Sequence, residues 1–192
     1  RLWEMGMRVF DRFDIRGVAS PVLRGLQEKT GESVHLSIFD DGDAVYIDRI
    51  DSQQAVRAYI RIGDRVPAYC TATGRAMLAC LGEAEVAAAS RDMRRHTELT
   101  VATPDALAAA LAEVREKGYA LTRGEWRQGV VGVAAPIRSQ SGTVVAGVGV
   151  AGPAERMGED NVAVATRAVL QAATDISHAL GFSDSGHAGL PS

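Results

Sequence analysis

The stretch GYALTRGEWRQGVVGVAAPIRSQSGTVVAGVGVAGP, residues 118 to 153, decides how this chain is read. A glycine stop is followed by a short strand and an acidic turn carrying Glu125. Two apolar runs come next, Val130–Ile137 and Val144–Val150, joined by the polar turn Arg138-Ser139-Gln140-Ser141-Gly142. Both runs are rich in Val, Ala and Gly, too small for a bulky core. They suit strands that back a cavity or let another backbone come close. Taken alone, the pattern also fits a generic hairpin in an α/β domain.

Working toward the N-terminus, Thr103-Pro104 opens a helix with Leu107, Leu111 and Val114 on one face and Gly118 as its stop. Pro67–Ala79 reads PAYCTATGRAMLA, an irregular approach to a helix at 72–81 that Gly82 ends, and a short helix at 83–90 follows. Val34–Phe39 alternates, turns at Asp40-Asp41-Gly42-Asp43 and returns as Ala44–Ile50, which predicts a hairpin. A third strand is expected over Val56–Ile62. Ser20-Pro21 reads as the start of a helix that Gly31 ends. A separate helix is predicted over 2–13, whose stripe Trp3, Phe10 and Phe13 packs on its own domain, lies between subunits, or leads to a further domain. Beyond Pro153, Val162, Ala165, Val169, Ala172, Ala173, Ile176 and Leu180 form one long helical stripe. Hairpins early and late with helices between them predict an α+β fold, a mostly antiparallel sheet with helices on it.

Composition narrows the function. With 192 residues, 46% hydrophobic and 23% charged, the chain has globular values. A net charge of −3 argues against this stretch itself gripping a phosphate backbone. No apolar run is long enough to span a membrane. Cys70 and Cys80 stand ten apart without a metal-type spacing, so neither a disulfide framework nor a metal site is expected, and no cofactor.

Pro67–Gly74 is the first candidate site. Cys70, Thr71 and Thr73 are small polar groups just before a helix, where free N–H groups favour an anion such as a carboxylate. The same threonines equally suit plain helix caps. Arg75, one turn into the helix, has two readings, a partner for a ligand or a solvated surface residue, and the second is expected. Glu125 has two readings: a partner for a ligand hydroxyl, or an ion pair with Arg123 or Arg127. Catalysis would need Cys70 activated by a histidine such as His35, and nothing in the sequence places the two together. His96 and His178 read as surface or helix positions. No nucleophile elbow, P-loop or metalloprotease motif is present.

In order and spacing the chain resembles the effector-binding domain of IclR-type bacterial transcription regulators, from about residue 2 to 182. The resemblance rests on Thr30–Val34, Pro67–Ala79, Gly118-Tyr119, Gly124-Glu125, Gly129-Val130, Ala134–Ile137, Gly142, Gly152-Pro153 and Arg156. It implies a GAF-like/profilin-like α+β domain that is not an enzyme. It implies residues 1–16 as a linker helix toward an N-terminal DNA-binding domain absent from this chain, 17–182 as the effector-binding domain and 183–192 as a disordered tail. Its partners would be a small organic acid, operator DNA through the missing domain, and further copies in a homodimer or homotetramer, all in the cytoplasm and away from membrane.

The resemblance also implies a ligand pocket lined by Ala58, Val66, Ala72, Thr73, Thr122, Gly132, Gly149 and Ala151, to which Cys70, Thr71 and Glu125 are added from their own chemistry. Members that bind small carboxylates carry serines where this chain has Gly149 and Ala151, so a larger, more apolar acid is expected here. A leucine at 149 or 151 should fill that pocket without harming the fold. The alternatives kept open are a small hydrolase using Cys70 and a stand-alone GAF-like signalling sensor.

Overall fold

The computed structural model describes residues 2–183, with side chains from Ile15 onward. The stripe Trp3, Phe10 and Phe13 and residues 184–192 of the expected tail therefore lie outside the described part.

Six antiparallel strands form one sheet in the order β3-β2-β1-β6-β5-β4. The strands are β1 (Ser33–Asp40), β2 (Asp43–Ile50), β3 (Arg65–Pro67), β4 (Ala120–Arg123), β5 (Val130–Arg138) and β6 (Val144–Pro153). The helices are α1 (Leu2–Thr30), α2 (Ala72–Leu78), α3 (Glu83–Ser90), α4 (Pro104–Lys117) and α5 (Glu159–Ala179), with a 3-10 turn at Ala68–Cys70. The α+β expectation holds.

Local chemistry explains the turns. Asp41 and Gly42, at φ 44° and 88°, form the two-residue connection of the first hairpin. An Asp-Gly pair with both φ positive gives the twist that two-residue hairpins need. Helix α4 starts where the Thr103 hydroxyl accepts from the Ala106 N–H at 3.3 Å, and it ends at the left-handed Gly118.

Strand alternation divides the interior in two. Val34, Leu36, Val133, Val148 and Val150 point to one face, where Leu23 of α1 and Val169 and Ile176 of α5 cover them almost completely. Each such side chain contributes about 1.5–3 kcal/mol by leaving water. On the opposite face stand Ala134, Tyr46 and Ala120, packed against Tyr69, Leu78, Leu107 and Leu111. Here the strands carry Gly147 and Gly149, and a helix backbone comes close. A Cβ at Gly147 would lie 2.9 Å from the Thr73 carbonyl oxygen. A Cβ at Gly74, in α2, would lie 2.4 Å from the Ala68 Cα. Gly147 therefore sets the spacing of α2 on the sheet, and Gly74 lets the 3-10 turn at Ala68 fold tightly against the helix.

Two expectations are corrected. The helices predicted over 2–13 and from Ser20 are one helix, with Pro21 inside it. Ile15, Ala19, Leu23 and Leu26 make a buried stripe that runs past the proline, and that packing outweighs the backbone bond Pro21 cannot donate. Residues 56–62 are not a strand but a connecting segment, and the three-residue β3 pairs with β2 instead.

Candidate functional site

Between α2 and the glycine-bearing face of the sheet lies a cavity of about 190 Å³. Its floor is built by β1, β2 and β6. His35 of β1 stands opposite Gly149 of β6. In the β1–β2 ladder, Leu36 pairs with Asp48 and Ser37 with Tyr46, so Ile47 is a bulge. A bulge bends its strand and re-aims the neighbouring side chain. Tyr46 meets His35 edge-on, ring centroids 5.5 Å apart at 83°.

The walls come from Cys70–Thr73, Thr122 and Gly132, with Ala151 on the next strand. At the mouth stand Arg57, Ala58 and Tyr59 from the 51–64 segment and Glu125–Arg127 from the β4–β5 turn. The Arg127 guanidinium donates to the Tyr59 carbonyl at 3.3 Å and so ties these two mouth segments together. Arg49 lies 4.3 Å from the Tyr59 ring centroid, a cation–π contact on the same segment.

Ten of the eleven residues singled out from sequence therefore line one cavity: Ala58, Cys70, Thr71, Ala72, Thr73, Thr122, Glu125, Gly132, Gly149 and Ala151. Val66 does not. It is 3% exposed and packs in the core beside α2. Gly149 is also more constrained than expected. A Cβ there would lie 2.7 Å from the Val133 carbonyl oxygen and 2.8 Å from the Ala134 Cβ, so a leucine at 149 breaks the sheet contact before it fills the cavity. Ala151 already carries a Cβ, is half-buried and lines the cavity, so a larger side chain there grows from an existing one and not from the bare backbone of the sheet.

The chemistry of the individual groups also differs from expectation. The Thr71 hydroxyl accepts from the Gly74 N–H at 3.2 Å and is a helix cap. The Cys70 thiol donates to the Pro67 carbonyl at 3.2 Å, and burial pushes its pKa up to about 12, so it is not a thiolate nucleophile. Arg75 is buried rather than solvated. Its Nε donates to the Tyr69 carbonyl at 2.6 Å, and its fork grips both oxygens of Glu125. Burial lowers the Arg75 pKa to about 10, which leaves it charged at neutral pH. Glu125 is thus ion-paired, but with Arg75 and not with Arg123 or Arg127. Thr97 and Thr100 fix its peptide: the Thr100 hydroxyl donates to the Glu125 carbonyl at 2.7 Å and Thr97 to Gly124 at 2.8 Å.

Three cavity-lining groups hold buried polar atoms with no hydrogen-bond partner among the described residues: His35 Nε2, Thr73 Oγ1 and Trp126 Nε1. Burial lowers the His35 pKa to about 4, so the imidazole is neutral at pH 7; Asp51 opposes the shift and Arg49 adds to it. Burial likewise raises the Tyr46 phenol to about 12. Sequence reasoning considered His35 only as a helper for Cys70 and missed Tyr46 and Trp126. The one signal available was a polar residue within an otherwise apolar strand. Among the described residues no cluster of three His, Cys, Asp or Glu could hold a metal ion, and no helix is long and apolar enough to cross a membrane.

Residues 7–178 match the family model described as bacterial transcriptional regulator IclR C-terminal. The chain belongs to the IclR family. It is 38% identical over 184 residues to the HTH-type transcriptional regulator XynR of Escherichia coli K12, covering 95% of this chain and 73% of that protein. The crystal structure of the Thermotoga maritima IclR superposes with a TM-score of 0.84 at 33% identity, over 94% of this chain and 74% of that one. An IclR homologue from Microbacterium hydrocarbonoxydans, solved in complex with 4-hydroxybenzoate, gives a TM-score of 0.80 at 26% identity over 94% and 73%. As an IclR effector-binding domain, the chain is part of a transcriptional regulator and not an enzyme. Family members bind DNA through an N-terminal domain and respond to small molecules.

Proposed function

We propose that this domain senses a small organic acid, aromatic or of medium chain length, in the cavity beneath α2. The observation that carries the reading is the pairing of a cavity lined by uncharged groups such as His35, Tyr46, Thr73 and Thr122 with cationic side chains, Arg57 and Arg127, at its edge. Its volume of about 190 Å³ exceeds the roughly 150 Å³ that accommodates a benzene ring. Arg57 and Arg127 are exposed at the mouth, and the indole N–H of the half-buried Trp126, which also lines the cavity, has no partner among the described residues. Those donors suit a carboxylate, which only accepts. Arg75 is committed to Glu125 and takes no part. The relative bound to 4-hydroxybenzoate supports an acid of this size.

The finer regulatory role follows from what the mouth touches. Arg156 holds Glu32, just beyond α1, through contacts of 2.6 and 2.8 Å, and it donates to the Val56 carbonyl at 2.8 Å. The Ser52 hydroxyl donates to the Gly31 carbonyl at 2.6 Å. A ligand that orders the 51–64 segment therefore acts on the end of α1, which leads through residues 1–16 toward a DNA-binding domain. We place residues 17–182 as the effector-binding unit and assign it a further role in homodimer or homotetramer assembly, which modulates operator binding.

Calorimetric titration with benzoate, phenylacetate and hexanoate tests the acid reading. Saturable binding by at least one acid, weakened about tenfold in Arg127→Ala, supports it. Absence of saturable binding by all three overturns it.

A further inference from the structure

We infer that residues 53–62 form a lid over the cavity mouth, hinged at Ser52 and Gly63 and latched by Arg49 of β2, which opens while the sheet stays folded; the inference rests on the reading above only in taking this cavity as a ligand site. Both ends of the segment are fixed to the body of the domain. The Ser52 N–H donates to the Ser33 hydroxyl at 3.2 Å, and the Ser52 hydroxyl donates to the Gly31 carbonyl at 2.6 Å. At the other end the Tyr46 N–H donates to the Asp64 carbonyl at 3.1 Å, and the Gly63 N–H donates to the Tyr46 carbonyl at 2.7 Å. Gly63 has a φ of 92°, a left-handed conformation that glycine adopts freely. Between these points, among the described residues, no backbone–backbone hydrogen bond reaches residues 53–60.

Arginine side chains hold the middle instead. The Arg49 guanidinium donates to the Ile60 carbonyl, lies 4.3 Å from the Tyr59 ring centroid and stands 3.3 Å from the Asp51 carboxylate. Arg127 donates to the Tyr59 carbonyl at 3.3 Å and Arg156 to the Val56 carbonyl at 2.8 Å. Arg49 thus grips two adjacent residues of the lid from the sheet, and it is itself half-buried. Ile60 is the one buried side chain of the segment: it is 8% exposed and lines the cavity, whereas Val56, Tyr59 and Ile62 are 67%, 47% and 52% exposed. Opening therefore uncovers a single buried side chain and breaks contacts made by arginines, not a strand ladder. Segments with few buried apolar contacts open locally without global unfolding, and lids are drawn from them. Arg127 is also a carboxylate partner in the proposed binding mode, so an occupant of the cavity engages a residue that holds the lid.

The experiment is thiol labelling of the full chain carrying Ile60→Cys and Cys80→Ser, without ligand, so that its outcome is independent of which acid binds. The chain with Cys80→Ser alone gives the contribution of Cys70. The Ile60→Cys thiol should react with a chromogenic disulfide reagent at least about a hundredfold more slowly than the exposed Cys80 of the parent. Its rate should depend little on urea below the unfolding transition, because local opening exposes little surface. Adding Arg49→Met should speed the reaction about tenfold, and adding Tyr59→Leu about threefold through loss of the cation–π contact. Tyr59→Leu carries the test if Arg49→Met does not fold. Reaction as fast as that of Cys80, rates unchanged in both variants, or a urea dependence equal to that of global unfolding each overturns the lid and leaves the acid reading standing. The expected labelling rates together with no binding of any acid overturn the acid reading alone.

Discussion

Arg75 and Glu125, fifty residues apart in sequence, form a two-pronged buried ion pair at the edge of the cavity, with side chains 5% and 11% exposed. The pair ties α2 to the β4–β5 turn and so joins the wall of the cavity to its mouth.

Removing one member leaves the other charge buried without a partner, which costs about 3–5 kcal/mol in such settings. Glu125→Gln and Arg75→Met should each lower stability by about 3 kcal/mol in urea denaturation, toward the lower end because the turn is partly open. The double variant Arg75→Met/Glu125→Leu should recover most of the loss. Single variants costing under about 1 kcal/mol each would mean that the pair is not closed in solution.

Glycine on the α2-facing strands is set by close approach. Gly147→Ala places a methyl 2.9 Å from the Thr73 carbonyl oxygen, and Gly149→Ala places one 2.7 Å from that of Val133. Each should cost about 1–3 kcal/mol, a fall of several degrees in Tm for a domain of this size. A neutral or stabilising result at Gly147 would show that α2 sits farther from the sheet, and one at Gly149 that β5 does.

His35 makes stability depend on pH with a defined sign. Its native pKa of about 4 lies below the ordinary value of 6.5, so between these limits the unfolded chain binds more protons. Stability contributed by this group is complete above about pH 6.5 and is lost as pH falls toward 4, by about 3 kcal/mol in total. Denaturation of the parent and of His35→Gln across pH 7 to 4 should give curves that converge as the pH falls. Parallel curves would contradict the buried neutral imidazole.

The two cysteines should separate cleanly. Cys80 is exposed, whereas Cys70 is buried with its thiol pushed up to about 12. A chromogenic disulfide reagent at pH 8 should titrate one fast thiol in the folded chain, and Cys80→Ser should abolish that phase. Loss of the fast phase in Cys70→Ala instead would reopen a reactive role for Cys70.

The elements most legible in the sequence were those fixed by local chemistry. The Asp41-Gly42 hairpin, the Thr103 cap and the Gly118 stop each follow from a few adjacent residues, and the structure has all three. Pro21 misled because a local rule about proline was overridden by a buried stripe continuous across it. Residues 56–62 alternate like a strand, yet they cover the cavity mouth, and Val56 and Ile62 are exposed. The Arg75–Glu125 pair and the isolation of His35 Nε2 depend on tertiary placement, which no local spacing encodes.

The central claim is that the space beside Ala151 receives the acid, and the most direct measurement is thermal denaturation of parent and Ala151→Leu side by side with a binding acid. At a hundredfold excess over its Kd the acid should stabilise the parent by about 2.7 kcal/mol, several degrees in Tm. Ala151→Leu should unfold near the parent's unliganded temperature and show no shift. An equal shift in both proteins would contradict the account.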